Sequence, residues 1–285
     1  MTRALGIDVY HGDGAVDFNK AAANGVSFAF IKASQFIPDH LFAENWKNAK
    51  SAGLLRGAYH YLNVNNSEIN QAELFVKTMG NDFGELPPVL DLEENYTQYG
   101  MTSALVLSKA WNFLSVVERL TGRKPMLYCG YYYADFTKPI RDWTRFPLWL
   151  AWYASEWWIK ICSAANTGTG VPKPWKNWTF WQNSSRADGL KYGTQSKMVD
   201  TNYFNGTVEE LRLFANVPVV PVTGFYKVAS STLKVFAGPG DMYKQVSLPL
   251  AFGTQVKVSQ AILSNGELWA QIETGWVRAT YLVKI

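Results

Sequence analysis

Short apolar runs alternate with amphipathic stretches along the first two thirds of the chain. The runs are Leu5 to Val9, Phe28 to Ala33, Gly57 to Leu62, Val89 to Leu92, Met126 to Cys129, Leu148 to Trp152 and Thr179 to Gln182. Their length and flanks predict seven strands. Between the earlier ones, helical periodicity marks Asp17 to Asn24, Ala43 to Ala52, Ser67 to Met79 and Ser103 to Thr121, the last with Thr102 as cap and Gly122 as stop. Strand alternating with helix predicts a parallel α/β sheet, and the repetition predicts closure into an irregular TIM-like (β/α) barrel. After Tyr153 the helical rhythm lapses in a stretch holding Gly168, Gly170, Pro172 and Pro174, so the last third of the barrel is expected to be short of helices.

A second break follows. Pro218 and Pro221 interrupt an extended apolar stretch and disfavour helix. This divides the chain into a barrel over 1–212, a linker over 213–222 and a tail over 223–285. The tail has short strand signals punctuated by Gly238-Pro-Gly240, Gly253, Ser264-Asn-Gly266 and Gly275, and no helix signal, which predicts a small all-β barrel.

Composition adds little except in aromatics and charge. Twelve Trp and 15 Tyr in 285 residues supply faces that stack on sugar rings or fill a core. The formal charge is +4, and six Lys/Arg against three Asp/Glu from residue 223 onward place most of the excess in the tail. That balance suits an anionic surface and falls short of a nucleic-acid footprint. No run approaches a membrane span, and the start passes directly into strand-like sequence. Without a leader, a protein made in a cytoplasm would reach an external target by another export route or by lysis. Cys129 and Cys162 lack a C-x-x-C spacing and are expected as unpaired buried thiols.

In a parallel barrel, chemistry sits at the C-terminal ends of the strands, which gives weight to carboxylates that follow apolar runs. Asp8, Asp91 and Glu93 meet that test. In Asp91-Leu-Glu93-Glu94, residues two apart share a face, so Asp91 and Glu93 are expected at the barrel mouth and Glu94 away from it. Two acids on one face repel when both are ionised, which keeps one of them protonated nearer neutrality, as a glycosidase acid requires. Asp200, in Met198-Val-Asp-Thr-Asn, reads on its own as a turn or cap residue. His60, on the inward parity assigned to its strand, reads as a satisfied core histidine.

These signals occur in one order: Gly-Ile-Asp8-Val-Tyr-His, Phe-Ile-Lys32-Ala-Ser, Gly-Ala-Tyr59-His-Tyr61, Val-Leu-Asp91-Leu-Glu93, Met-Leu-Tyr128, Leu-Trp149-Leu-Ala, Trp181-Gln182-Asn-Ser-Ser and Val-Asp200-Thr-Asn. Together they resemble the family 25 glycoside hydrolases, the lysozymes of the bacteriophage-endolysin and fungal muramidase type, over nearly all of residues 1 to 212. The resemblance implies eight barrel strands with fewer helices than a complete TIM barrel, no cofactor or metal, and hydrolysis of the β-1,4 bond between N-acetylmuramic acid and N-acetylglucosamine in bacterial peptidoglycan. It implies Glu93 as general acid, Asp91 as its partner, and Asp8 and Asp200 as acids flanking the groove. A retaining route in which the substrate's own N-acetyl oxygen attacks is the favoured chemistry. Tyr128 would hydrogen-bond the N-acetyl group, Tyr61, Trp152 and Trp181 would stack on sugars, and Gln182 would contact substrate. Val9, Tyr10 and His11 depart from the small polar residue and aromatic that commonly follow the first Asp in that family.

The tail, through Gly-Pro-Gly240-Asp-Met-Tyr243 and Gly275-Trp276-Val, resembles bacterial SH3 domains, which implies cell-wall binding and contact with anionic wall polymers. Competing wall-lytic chemistries lack their residues. His11, His40 and His60 all precede both cysteines, against the papain-like order, and there is no H-E-x-x-H, G-x-S-x-G or P-loop. The alternative from another class is a non-catalytic glycan-binding protein on a hydrolase-like barrel, which would have little physical reason to keep the full acidic set.

Overall fold

The computed structural model describes residues 2–131, 133–137, 141–153, 171–215, 223–264 and 267–285. Two compact units divide the chain, Met1–Leu211 and Arg212–Ile285.

The first unit is a closed eight-stranded barrel: β1 (Leu5–Val9), β2 (Val26–Ser34), β3 (Leu55–Tyr61), β4 (Val89–Leu92), β5 (Met126–Gly130), β6 (Leu148–Ala151), β7 (Phe180–Asp188) and β8 (Met198–Phe204), paired in chain order. Strands β1 to β7 run parallel, whereas β8 is antiparallel to both β7 and β1 and closes the ring. Around it lie α1 (Phe18–Ala23), α2 (Phe42–Ser51), α3 (Glu68–Met79) and α4 (Ser103–Thr121), with α5 (Val208–Phe214) after the last strand. Helix α5 ends two residues inside the stretch read as linker. Asp17, Ser67 and Thr102 cap α1, α3 and α4 by accepting the backbone N–H three residues on, and Gly122 ends α4 in the left-handed region at φ 66°. Among the described residues, no helix is long and apolar enough to cross a membrane.

Period-two alternation divides each strand between two environments. Outward residues such as Ile7, Ile31, Leu90, Leu127 and Leu150 join the helices in one large core. Inward residues build an aromatic plug, in which Phe30 stacks on Trp149 at 4.2 Å and meets Phe180 edge-on at 5.0 Å, while Phe28 meets Phe180 at 5.1 Å. Glycine makes the room. A Cβ on Gly6 would fall 2.2 Å from the Phe28 ring, and one on Gly57 2.4 Å from the Phe30 ring. The plug fills the lower barrel, so on β1, β2, β3 and β7 the polar inward residues one step further along, Asp8, Lys32, Tyr59 and Gln182, form a floor at the C-terminal mouth. At the other end, buried Arg56 near the start of β3 pairs with Asp82 at 3.0 Å and Glu85 at 2.8 Å under the Trp46 ring.

His60 has the opposite parity from the one expected. It faces the helices, bonded to Ser34 Oγ at 2.8 Å and Gln71 Oε1 at 3.1 Å and stacked on Phe113. It is a satisfied core histidine, and burial pushes its pKa down to about 4. Cys129 is a buried free thiol; Cys162 lies outside the described residues.

From residue 223 onward, the described residues of the second unit form strands and turns with one turn of 3-10 helix, Ala279–Tyr281. Its strands are β9 (Gly224–Val228), β10 (Thr232–Leu233), β11 (Leu250–Ala251), β12 (Gln255–Val258), β13 (Gln260–Ser264), β14 (Glu267–Ile272), β15 (Gly275–Arg278) and β16 (Leu282–Lys284), in sheets β12-β9-β16, β13-β14-β15 and β10-β11. Tyr226, Val235, Val258, Ala270 and Val277 are among its core residues. The Tyr243 ring packs on Gly238, where a Cβ would fall 2.6 Å from it, and this contact accounts for the Gly-Pro-Gly-x-x-Tyr spacing.

Candidate active site

All eight barrel strands send a side chain into one open cleft of about 360 Å³ at their C-terminal ends. Its walls include Asp8 from β1, Lys32 from β2, Tyr59 and Tyr61 from β3, Asp91 and Glu93 from and just beyond β4, Tyr128 from β5, Trp149 from β6, Gln182 from β7 and Asp200 from β8, with Tyr10 and Tyr153 at the rim. The four carboxylates named from sequence are therefore together. Glu94 is not with them. Its carboxylate accepts from Asn63 Nδ2 at 3.1 Å, Val64 N at 2.7 Å and the Tyr99 hydroxyl at 2.9 Å, so it pins the loops that follow β3 and β4.

Gln182 organises one side of the cleft. It is buried, and its Nε2 donates to both oxygens of Asp8, at 3.2 and 3.0 Å, and to Asp200 Oδ2 at 3.0 Å. Its Oε1 accepts from the Tyr128 hydroxyl at 2.9 Å and the Tyr153 hydroxyl at 2.6 Å. The amide expected to touch substrate is thus engaged in holding two acids and two phenols. Asn202, on the same face of β8 as Asp200, donates from Nδ2 to Asp8 at 2.7 Å and accepts from Trp149 Nε1 at 2.8 Å.

Asp91 and Glu93 occupy the other side. Asp91 is buried, and its Oδ1 has no hydrogen-bond partner. Glu93 reaches solvent, with Oε2 3.4 Å from the Tyr128 hydroxyl. That hydroxyl has one proton for Gln182 or Glu93, so the two halves of the site share it.

Burial among like charges raises every acid of the set. The Asp8 carboxyl lies well above the usual range, through burial and then the Asp200 charge, opposed by the Gln182 and Asn202 donors. Asp91 is also raised, by burial and by Glu93, with Lys32 opposing. Partial withdrawal from water raises Glu93, against the pull of Tyr128 and Lys32. Asp200 is pushed up to about 7 by burial and by the Asp13 and Glu93 charges. Lys32 is the cation of this lining, and its Nζ donates to Gln35 at 2.8 Å and sits 5.0 Å from the centre of the Tyr61 ring. A half-buried cleft with raised carboxyls, one of them exposed, has the make-up of a site that hands a proton to a bound ether oxygen.

Two expected sugar-stacking residues are placed elsewhere. Trp181 has the outward parity of β7, is 1 % exposed, and donates from Nε1 to the Trp152 carbonyl at 2.8 Å within the core. Trp152 packs half-buried between Tyr131 and Trp181 and is absent from the cleft lining. Tyr153, one residue on, takes the inward position. Tyr61 and Tyr128 do line the cleft. Sequence reasoning missed Tyr10, Lys32, Tyr59, Trp149, Tyr153 and Asn202, although period-two parity from Tyr61 and Asp200 would have found Tyr59 and Asn202.

Comparison with known proteins is consistent with this geometry. The family model "Glycosyl hydrolases family 25" matches residues 7–189. The chain is 36 % identical over 223 residues to the uncharacterized protein YegX of Escherichia coli K12, covering 74 % of this chain and 73 % of that one. It is 32 % identical over 224 residues to Lysozyme M1 of Streptomyces globisporus, covering 74 % and 71 %. The crystal structure of a bacterial lysozyme from Streptomyces coelicolor superposes with a TM-score of 0.61 at 29 % identity, over 76 % of this chain and 99 % of that one.

Proposed function

The chain belongs to glycosyl hydrolases family 25, and on that premise we propose that it is a peptidoglycan hydrolase, an N-acetylmuramidase that cuts the β-1,4 bond between N-acetylmuramic acid and N-acetylglucosamine. The observation that carries this reading is the pairing of Asp91 and Glu93 on one face of the cleft, one buried with a free acceptor oxygen and the other reaching solvent with a raised pKa.

Glu93 is the general acid. Its proton passes to the glycosidic oxygen as the bond from the anomeric carbon to that oxygen breaks. The acetamido carbonyl oxygen of the same sugar attacks the anomeric carbon, and Asp91 Oδ1 accepts the acetamido N–H, which favours the developing positive charge. Water then attacks the anomeric carbon as its bond to the acetamido oxygen breaks and the acetamido group is regenerated, and the water gives a proton to Glu93, restoring the acid with net retention. Asp8 and Asp200 flank the groove, and Gln182 sets their positions.

The tail is assigned to wall recognition as an SH3-like unit, favoured by its all-β build and its excess of Lys/Arg, and the combination fits a lytic enzyme of the endolysin type. A chain ending at residue 211 should then sediment with purified walls less well than the full chain, and equal sedimentation would remove that role.

Glu93→Gln keeps the shape of the side chain and removes the proton. It should lower the release of new reducing ends from peptidoglycan by roughly 10²- to 10⁴-fold, with unchanged folding and wall binding. Mass spectrometry of the digest decides the bond: reducing muramic acid supports the assignment, reducing glucosamine moves it, and free peptides overturn the class. Undiminished lysis by Glu93→Gln would mean another residue is the acid.

A further inference from the structure

Outside the cleft, three potential metal ligands from two separate loops meet at one place. His11 lies in the 3-10 turn His11–Asp13 that follows β1, and Asp39 and His40 lie between β2 and α2. Strands β1 and β2 are parallel neighbours, so the segments leaving their C-terminal ends run side by side and bring residues 28 positions apart into contact. One ring nitrogen of His11, one of His40 and a carboxylate oxygen of Asp39 all lie within 4.8 Å of one another.

We propose that His11, Asp39 and His40 form a binding site for a borderline divalent metal ion, with zinc as its best occupant. Two imidazoles and one carboxylate are a donor set used for zinc, and three protein ligands leave a coordination position for water. Hard cations such as calcium and magnesium prefer all-oxygen sites and have little to gain from two imidazoles.

The site is partly built in advance. The Asp39 side chain is 2 % exposed, and its two oxygens accept from Leu41 N at 3.0 Å and His11 N at 3.1 Å, which fixes the carboxylate before any ion arrives. His11 Nδ1 lies 2.7 Å from Asp39 Oδ2. An ion held by that nitrogen and that carboxylate takes the place of the proton between them, so binding releases a proton. The His40 ring is 5.1 Å from that of His11, and both are exposed, so a side-chain rotation of His40 closes the set at little cost in packing.

An ion here would tie the segment after β1 to the segment before α2. The Tyr10 ring, which lines the cleft, is 5.0 Å from the His11 ring, so the tie would restrain that rim. No reacting group is involved, and the site stands whether or not the proposed glycan chemistry does.

The test is equilibrium binding of zinc chloride to the full chain, stripped with a chelator beforehand, in competition with a chromophoric zinc indicator. One equivalent should bind, and His11→Ala and His40→Ala should each weaken it at least tenfold. Without metal, His40→Ala should keep the wild-type melt, and His11→Ala should lower it only by the loss of its ring contact with Asp39, which keeps its two backbone donors. Zinc should raise the melting midpoint of the wild type and leave both variants where they are. No saturable binding by the wild type, undiminished binding in both variants, or equal binding of calcium would overturn the proposal.

Discussion

Asp8 and Asp200 face each other across the β1–β8 pairing, and a single nitrogen, Gln182 Nε2, donates to both. The amide also accepts from Tyr128, whose hydroxyl is the polar link to Glu93. A change at Gln182 should therefore be felt at the acid without touching it.

Gln182→Met keeps the length of the side chain and removes both functions. Asp8 and Asp200 lose a donor, at a cost of about 1–3 kcal/mol in stability. Freed from Gln182, the Tyr128 proton turns to Glu93 and stabilises its charged form, which lowers the Glu93 pKa. The alkaline limb of the kcat/KM profile should move to lower pH. A profile that does not move would show that Tyr128 does not couple the two halves of the site.

The barrel and half of the cleft were legible because strands alternate and acids stand out against apolar runs. Asp91, Glu93 and the exclusion of Glu94 needed only parity. Strand β8 was hidden because Met198-Val-Asp-Thr-Asn runs through polar residues that read as a turn, and two of them, Asp200 and Asn202, are on the inward face of a barrel whose floor is hydrophilic. Parity also fails without a reference face: Trp181 and Gln182 are adjacent, and only the packing of Phe180 against Phe28 and Phe30 shows that even-numbered residues of β7 point inward there. The meeting of His11 with Asp39 has no sequence signal, since it comes from neighbouring strands and not from spacing.

The parity assignment separates two aromatics. Trp181→Ala should cost about 3–5 kcal/mol in urea unfolding while the folded fraction keeps its activity. Tyr61→Ala, at the cleft, should change stability less and raise KM several-fold, by about 1 kcal/mol of lost ring contact. The reverse pattern would put Trp181 on the glycan.

Asp200 makes stability depend on pH in an unusual direction for a carboxylate. Its pKa in the folded chain is about 7 against an ordinary 3.8, so between these values the folded chain holds a proton the unfolded chain has released. That contribution is complete below about pH 4 and is lost as pH rises through 7. His60 acts oppositely: with its pKa pushed from 6.5 to about 4, stability falls as pH drops through that window. A wild-type curve therefore mixes the two, and the difference from Asp200→Asn isolates one. The variant has no charge to avoid, and its amide oxygen can still accept from Gln182. Wild-type stability minus variant stability, from urea midpoints, should fall between pH 4 and 7 by on the order of 1–3 kcal/mol after discounting for the solvent that reaches the group. A difference that stays flat, or rises with pH, would mean that Asp200 is ionised in the folded protein and cannot share a proton with its neighbours in the cleft.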